Sequence, residues 1–234
     1  MILAFDSTAK VASVALMRGG LTVAEYSVNC GLTQSELLLP MAESVLKSLK
    51  LEFSDVDVFA TSVGPGSFTG VRIGISLIKG LAFGRKSPCV AVSTLEALAE
   101  NLVPLSGILV PCMDARRNQV YTATFRCDGE KAERLTPDRA ISLDDLAEEL
   151  LNFDEPIYLS GDGYAVAKKA LTAKGVKLSE TPELLILESA VSVAQVAYRK
   201  HEAGDFVTDS ELSPTYLRLP QAERERLERL AEKQ

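Results

Sequence analysis

The stretch ILAFDSTAKVASVALM, residues 2–17, carries the pattern from which the fold is predicted. An apolar run ends at Asp6, a short polar turn follows, and residues 11–17 then alternate as a strand does. Arg18-Gly19-Gly20 supplies a second turn, and residues 21–28 return as another strand. This order predicts an antiparallel meander of three strands at the start of the chain.

A weaker version of the same pattern begins near the middle of the chain. Residues 107–113 are an apolar strand that ends at Asp114, a polar turn follows, and residues 119–127 alternate as a returning strand. Two halves that begin in the same way indicate an α/β protein of two related lobes that face each other. We predict an N-terminal lobe over 1–103, a C-terminal lobe over 104–218, and a charged terminal helix or tail over 219–234.

Two predicted helices of the first lobe, 34–50 and 68–83, have more apolar surface than one core face requires. In the first, Leu38, Ala42, Val45 and Leu49 recur at three- and four-residue steps and should cover the sheet. Leu37 and Met41 fall on a neighbouring face, where we expect one exposed apolar knob. Because such a surface needs cover, it predicts a partner-binding face, and a homodimer when the partner is absent. The residues predicted to contact the partner are Gln34, Leu37, Leu38, Met41, Val45, Ile75 and Lys79.

The charge and the scarcity of histidine exclude several classes of protein. The 234 residues carry a formal charge of −7, which argues against a free-standing nucleic-acid binder but is compatible with a local basic patch. The only histidine, His201, lies in a charged amphipathic segment, so neither a histidine-pair metal site nor a histidine-based triad is expected. The sequence offers no catalytic residue and no metal site.

Cysteine spacing and hydropathy indicate the compartment. The four cysteines form no Cys-x-x-Cys pair, so we expect reduced, buried thiols. Asp6 interrupts the only early apolar run, which argues against a signal peptide, and no apolar stretch reaches the ~18–20 residues that span a bilayer. We therefore expect a cytoplasmic protein that does not contact membranes.

The run Gly64-Pro65-Gly66-Ser67-Phe68-Thr69-Gly70 follows a predicted strand and opens a helix. Glycines at a helix start permit either anion binding by free amides or close packing of strand and helix. The Gly-Lys-Ser/Thr ending of a P-loop is missing, and we favour close packing, with Gly64, Gly66 and Gly70 as a structural loop.

The turns after the two lobe-initiating strands are candidates for a vestigial nucleotide site. Asp6, Ser7 and Thr8 offer a carboxylate, hydroxyls and amides to hydrated magnesium and phosphate, and Asp114 is the counterpart in the second half. A carboxylate that caps its own turn is the alternative for both. Gly161 and Gly163 flank an aspartate and could contact a base or ribose, or form a plain Asp-Gly turn.

Seven segments occur in an order that resembles the bacterial TsaB family, also called YeaZ, from residue 1 to about 218. The glycine run is the specific part, whereas the first strand and Asp6 are common to many actin-like ATPase folds. The segments are residues 2–8, 35–40, 64–74, 79–82, 93–99, 113–117 and 214–218.

This resemblance implies the acetate kinase/Hsp70/actin (ribonuclease H-like) fold, with two lobes of mixed sheets flanked by helices. It also implies a non-catalytic subunit of the complex that makes N6-threonylcarbamoyladenosine in tRNA. The chain would pair with its catalytic paralogue TsaD, with TsaE as third component, and would reach tRNA only through that complex. ATP or ADP and a metal are expected on the partners, and no cofactor is required by this chain. Gln34 stands where many relatives carry histidine. The alternative is a nucleotide-binding hydrolase or small-molecule kinase that acts between the lobes.

Overall fold

The computed structural model describes residues 1–218, and its first sheet has five strands in the order β3-β2-β1-β4-β5. Strands β1, β2 and β3 pair antiparallel, which confirms the predicted meander, whereas β4 lies parallel to both β1 and β5. The strands are β1 Ile2–Asp6, β2 Ala12–Arg18, β3 Leu21–Val28, β4 Val58–Ser62 and β5 Cys89–Val92.

The second sheet is built around β6, which runs over Gly107–Asp114 and is buried along almost its whole length. Strands β7 and β8 pair antiparallel with β6, and β11 pairs with it in parallel. Strand β10 pairs with β7, and β9 pairs with β8. The remaining bounds are β7 Gln119–Thr122, β8 Phe125–Cys127, β9 Ala132–Arg134, β10 Arg139–Ser142 and β11 Ile157–Ser160.

The predicted returning strand 119–127 is present with one interruption. Strands β7 and β8 follow β6 in the same register, as the pairs of Cys112 with Thr122 and of Leu109 with Phe125 show. Between them the ladder is broken where it passes Pro111, which has no N–H to donate. The Thr122 hydroxyl instead donates to the carbonyl oxygen of Pro111 at 2.7 Å.

Helices cover both faces of the first sheet. Helices α1 and α2 pack on one face and enclose a core that includes Phe5, Phe59 and Ile78. Helix α6 packs on the other face, where Val193 and Ala197 meet Ile2, Ala4 and Val90. Helix α3 contacts both α6 and β6, and thereby joins the two lobes. The helices are α1 Gln34–Ser48, α2 Phe68–Ala82, α3 Thr94–Asn101, α4 Leu143–Leu150, α5 Tyr164–Ala173 and α6 Ala190–Glu202.

The position of α6 changes the predicted extent of the lobes. Helix α6 lies against β1, β2, β4 and β5, and Val207 forms an isolated bridge with Cys89 of β5. Residues from 190 to 212 therefore pack with the first lobe, which corrects the assignment of all of 104–218 to the second. The helices predicted over 34–50 and 68–83 end slightly earlier, at Ser48 and Ala82. Strands β9 and β10 were not predicted, and the tail predicted over 219–234 lies outside the described residues.

Two expectations about cysteines and membranes can be compared with the structure. All four cysteines are free thiols; Cys89, Cys112 and Cys127 are buried, as expected, whereas the expectation is wrong for Cys30, which is exposed. Within residues 1–218, none of the helices has the length and apolar character needed to span a membrane.

Candidate functional site

Asp6, Ser7 and Thr8, at the start of the turn after β1, are fully buried, and both carboxyl oxygens of Asp6 accept hydrogen bonds from within the chain. One oxygen of Asp6, Oδ1, accepts from the Thr8 amide at 2.9 Å and the Thr8 hydroxyl at 2.7 Å. The other, Oδ2, accepts from the Ser62 hydroxyl at 2.6 Å. Burial raises the pKa of Asp6, and the hydrogen bonds from Ser62 and Thr8 act against that rise. The Asp6 carboxylate therefore caps its own turn, which is the alternative to a magnesium site that the sequence left open.

The glycine loop closes this turn from outside. The Ser67 amide donates to the carbonyl oxygen of Thr8 at 2.7 Å, and the Ser7 hydroxyl donates to the carbonyl oxygen of Gly70 at 2.9 Å. A methyl group at Gly70 would lie 1.9 Å from the Ser7 carbonyl oxygen, and one at Gly66 would lie 2.6 Å from that of Thr8.

These distances support close packing as the role of the glycine loop. The chief partner of the loop is the turn after β1, rather than the strand before the loop as expected, although Gly74 does approach the Thr61 hydroxyl of β4. Gly64, at φ +114°, leaves space for the carbonyl oxygen of Thr215 instead. Because the loop covers Ser7 and Thr8, their groups are not offered to a phosphate.

In the second lobe, Asp114 and the glycines near residue 162 come together at the ends of β6 and β11. The amide of Asp114 donates to Oδ1 of Asp162 at 2.9 Å, and the amide of Arg116 donates to Oδ1 of Asp114 at 2.8 Å. Methyl groups at Gly161 and Gly163 would lie 2.4 and 2.8 Å from the carbonyl oxygen of Cys112. Both glycines thus permit close contact with the backbone of β6.

Sequence reasoning missed Glu188, which is 4% exposed between the lobes. Neither of its carboxyl oxygens has a hydrogen-bond partner of good geometry among the described residues. Burial, with the Asp6 and Asp162 charges in support, raises the pKa of Glu188 to about 8, although nearby backbone amides act against the rise. The only sequence signal is a lone acid after the apolar run LLIL, directly before Ser189, the N-cap of α6.

The structure therefore places Glu188 close to Asp6 and Asp162, a grouping absent from the predicted nucleotide site. Desolvation also raises the pKa of Asp162, although the residue is exposed on one side, and the Asp114 charge adds to the rise. Within residues 1–218, no three His, Cys, Asp or Glu side chains are grouped so as to hold a metal ion. The burial of Glu188 can therefore keep a proton on its carboxyl group at neutral pH.

Most of the side chains predicted to contact a partner are buried within the chain. Leu38, Met41, Val45 and Ile75 belong to the core of the first lobe. The expectation that Met41 faces outward is wrong, since it is 3% exposed. Helix α1 lies in the angle between the sheet and α2, so two rows of its side chains are buried.

The other predicted contacts are polar or half-buried. The Gln34 side-chain amide donates to the carbonyl oxygens of Ala9 at 2.9 Å and Val11 at 3.3 Å, so it holds the turn before β2. Leu37 is half-buried against the core. The Lys79 ammonium donates to the carbonyl oxygen of Ser210 at 3.2 Å.

An apolar groove of about 610 Å³ runs between α1 and α2. Leu39 on α1 is 38% exposed there, and the half-buried Ile73 and Leu77 on α2 face it. Phe68 and Arg72 form one end of the groove. The surface that α1 and α2 offer is therefore built on Leu39 rather than on Met41.

These features define a class of protein. Two lobes on mixed sheets, with an aspartate ending the first strand of each, are the α/β fold of the actin-like ATPases. A family model described as "TsaD: tRNA N6-adenosine threonylcarbamoyltransferase" matches residues 32–224. The Bacillus subtilis protein "tRNA threonylcarbamoyladenosine biosynthesis protein TsaB" is 35% identical over 73% of this chain and 74% of its own length. The chain belongs to the TsaB family, which works in threonylcarbamoyladenosine biosynthesis in tRNA.

Further relatives extend this match over nearly the whole chain. The TsaB protein of Escherichia coli is 28% identical over 93% of this chain and 94% of its own length. The solved structure of YeaZ from Pseudomonas aeruginosa has a TM-score of 0.76 and 25% identity, and covers 92% of this chain and 99% of that one. The ethanolamine utilization protein EutJ from Carboxydothermus hydrogenoformans, at 13% identity and a TM-score of 0.54 over 82% and 88%, shares the fold alone.

Proposed function

We propose that this chain is a non-catalytic subunit that supports a TsaD-type partner in threonylcarbamoyladenosine synthesis, with a TsaE-type protein as third component. The observation that carries the proposal is the groove between α1 and α2, which leaves Leu39, Ile73 and Leu77 without cover in the described part of the chain. A groove of apolar side chains on two packed helices is suited to a helical partner.

The occupant that fits this groove is the equivalent helix pair of a related chain. The family model that matches this chain over 32–224 is that of TsaD, so a TsaD chain should have counterparts of α1 and α2. Two such helix pairs can pack face to face about an approximate two-fold axis. The same geometry allows two copies of this chain to pair when TsaD is absent.

A supporting rather than catalytic role is consistent with the state of the inter-lobe turns. The Asp6 carboxylate is saturated by Thr8 and Ser62, and the glycine loop covers Ser7 and Thr8. His201 lies on α6 beside Phe206, away from these turns. These contacts disfavour the alternative of a hydrolase or kinase that acts between the lobes, and they support assigning the metal and nucleotide chemistry to the partners.

The proposal is tested with Leu39→Glu, mixed with purified TsaD. A charge at the centre of a buried contact should weaken the complex by about 30-fold or more, since truncation of a hot-spot side chain costs ~2 kcal/mol. Complex mass by light scattering and affinity by calorimetry report this loss. The free energy of unfolding should change by only ~0.5 kcal/mol, because Leu39 is a partly exposed surface residue.

Leu184→Glu is the matched control, since Leu184 is 95% exposed in the short 3-10 turn Glu183–Leu185 outside the groove. It should bind TsaD with unchanged affinity. If Leu39→Glu folds and binds TsaD as tightly as the control, the groove is not the docking surface.

A further inference from the structure

A band of five cations connects the two lobes of this acidic chain. It consists of Lys10, Arg72, Arg116, Arg117 and Arg218, all exposed except Arg218, which is half-buried. These residues come from the turn before β2, from α2, from the turn between β6 and β7, and from the last described residues. We call this set the cationic band.

Hydrogen bonds connect Arg72 and Arg218, through the last described residues, to the turn that carries Arg116 and Arg117. Arg72 Nε donates to the Tyr216 hydroxyl at 2.8 Å, two residues before Arg218. Arg218 donates in turn to the carbonyl oxygen of Ala115 at 3.1 Å, beside Arg116. The charges of Arg116 and Lys10 both act to lower the pKa of Asp162.

The band has two acidic neighbours, Asp114 and Asp162, but forms few ion pairs. Among the five, and within residues 1–218, only Arg116 forms an ion pair, with Asp114 at 3.3 Å, and its side chain is still 86% exposed. Arg116, Arg117 and Asn118 all have positive φ, at 63°, 54° and 58°. This conformation costs ~1–2 kcal/mol for each non-glycine residue, and it keeps both guanidinium groups on an exposed turn.

Aromatic rings accompany the cations. Phe68 and Tyr216 stack with centroids 5.0 Å apart, and Arg72 lies 3.9 Å from the centroid of Phe68. Arg218 lies 5.6 Å from the centroid of Tyr121. Tyr216 is 38% exposed, so part of its ring is accessible to a ligand. Exposed cations beside accessible aromatic rings are typical of surfaces that bind single-stranded nucleic acid through phosphates and base stacking.

We propose that the cationic band binds phosphates of the RNA substrate, so that this chain contributes to RNA binding within the assembled complex. The inference rests on the proposed function, since it takes the RNA to be the tRNA that the complex modifies. Arg72 also lines the α1–α2 groove, so an RNA on the band would run beside the partner docked there. The net charge of −7 disfavours RNA contact over the surface as a whole, so that binding requires a local concentration of cations such as this band.

The test is R116Q/R117Q in the complex with TsaD, with an unmodified tRNA transcript as probe. Removal of two phosphate contacts should weaken tRNA binding by about 10-fold at low salt, and lower the slope of log K against log salt by about 1.4. K169Q/K177Q is the control, because it removes the same charge from exposed lysines on α5 and just after it. The control should keep the affinity and slope of the wild type.

The complex mass is measured in parallel, so that loss of pairing with TsaD is distinguished from loss of RNA binding. If pairing fails for the wild type, the proposed function is refuted, and the same titration on the chain alone then decides the role of the band. Equal tRNA affinities for R116Q/R117Q and the wild type, or an equal loss in the control, would overturn the inference. So would a loss confined to ATP binding, which would assign the band to free nucleotide phosphates.

Discussion

Replacement of Glu188 by glutamine should remove a pH dependence of stability that its burial creates. Burial raises the pKa of Glu188 in the folded chain to about 8, from an ordinary value of 4.5. Because the folded pKa is raised, the stabilisation is fully present below pH 4.5 and is lost as the pH rises through about 8. At pH 6, two units below the folded pKa, it amounts to about 3 kcal/mol, since one unit corresponds to ~1.36 kcal/mol. At pH 9 almost none remains.

The assay is urea unfolding of the wild type and Glu188→Gln at pH 6, 7, 8 and 9. Glutamine is isosteric and neutral throughout, so the stability of the variant relative to the wild type should rise by about 3 kcal/mol from pH 6 to 9. Taking this difference cancels the contributions of groups common to both proteins. Glu183→Gln, an exposed change on the same segment, should show no such trend. A constant difference between Glu188→Gln and the wild type at every pH would refute the reasoning.

Two further substitutions test the packing directly. Gly70→Ala should destabilise the chain by ~3 kcal/mol, because the added methyl group meets the Ser7 carbonyl oxygen. Gly80→Ala in the same helix is the control: the methyl group has free space there and should stabilise the chain by ~0.5–1 kcal/mol. Denaturant titrations measure both changes. Met41→Glu should unfold most of the chain at 25 °C, or lower its free energy of unfolding by more than ~3 kcal/mol, because it buries a charge in the core of the first lobe. Circular dichroism measures the unfolding. A stability equal to that of the wild type would show that Met41 is not a core residue.

The sequence was sufficient for the elements whose pattern is local. The strands on either side of Asp6, the helices α1 and α2, and the strand that ends at Asp114 follow from alternation, helical period and turn residues, and all are present. The family resemblance is confirmed by the comparisons, together with the fold.

Properties that depend on how elements meet could not be predicted in this way. The helical period of α1 defines which residues share a face, but not that α2 would bury a second row with Met41 in it. Strands β9 and β10 are three and four residues long, and both are edge elements with little apolar content. Glu188 was missed because Asp6 and Asp162, whose charges raise its pKa, come from distant parts of the chain, which no local pattern joins.

The location of α6 on the first sheet has a consequence for synthesis on the ribosome. One face of that sheet is complete once α2 and β5 have emerged, but the other, with Ile2, Ala4 and Val90, stays uncovered until residues 190–202 follow. At ~5–20 residues per second, the intervening hundred or so residues take roughly 5–20 s. During that interval the nascent chain presents an apolar β-surface, and transiently exposed surfaces of this kind are prone to aggregation.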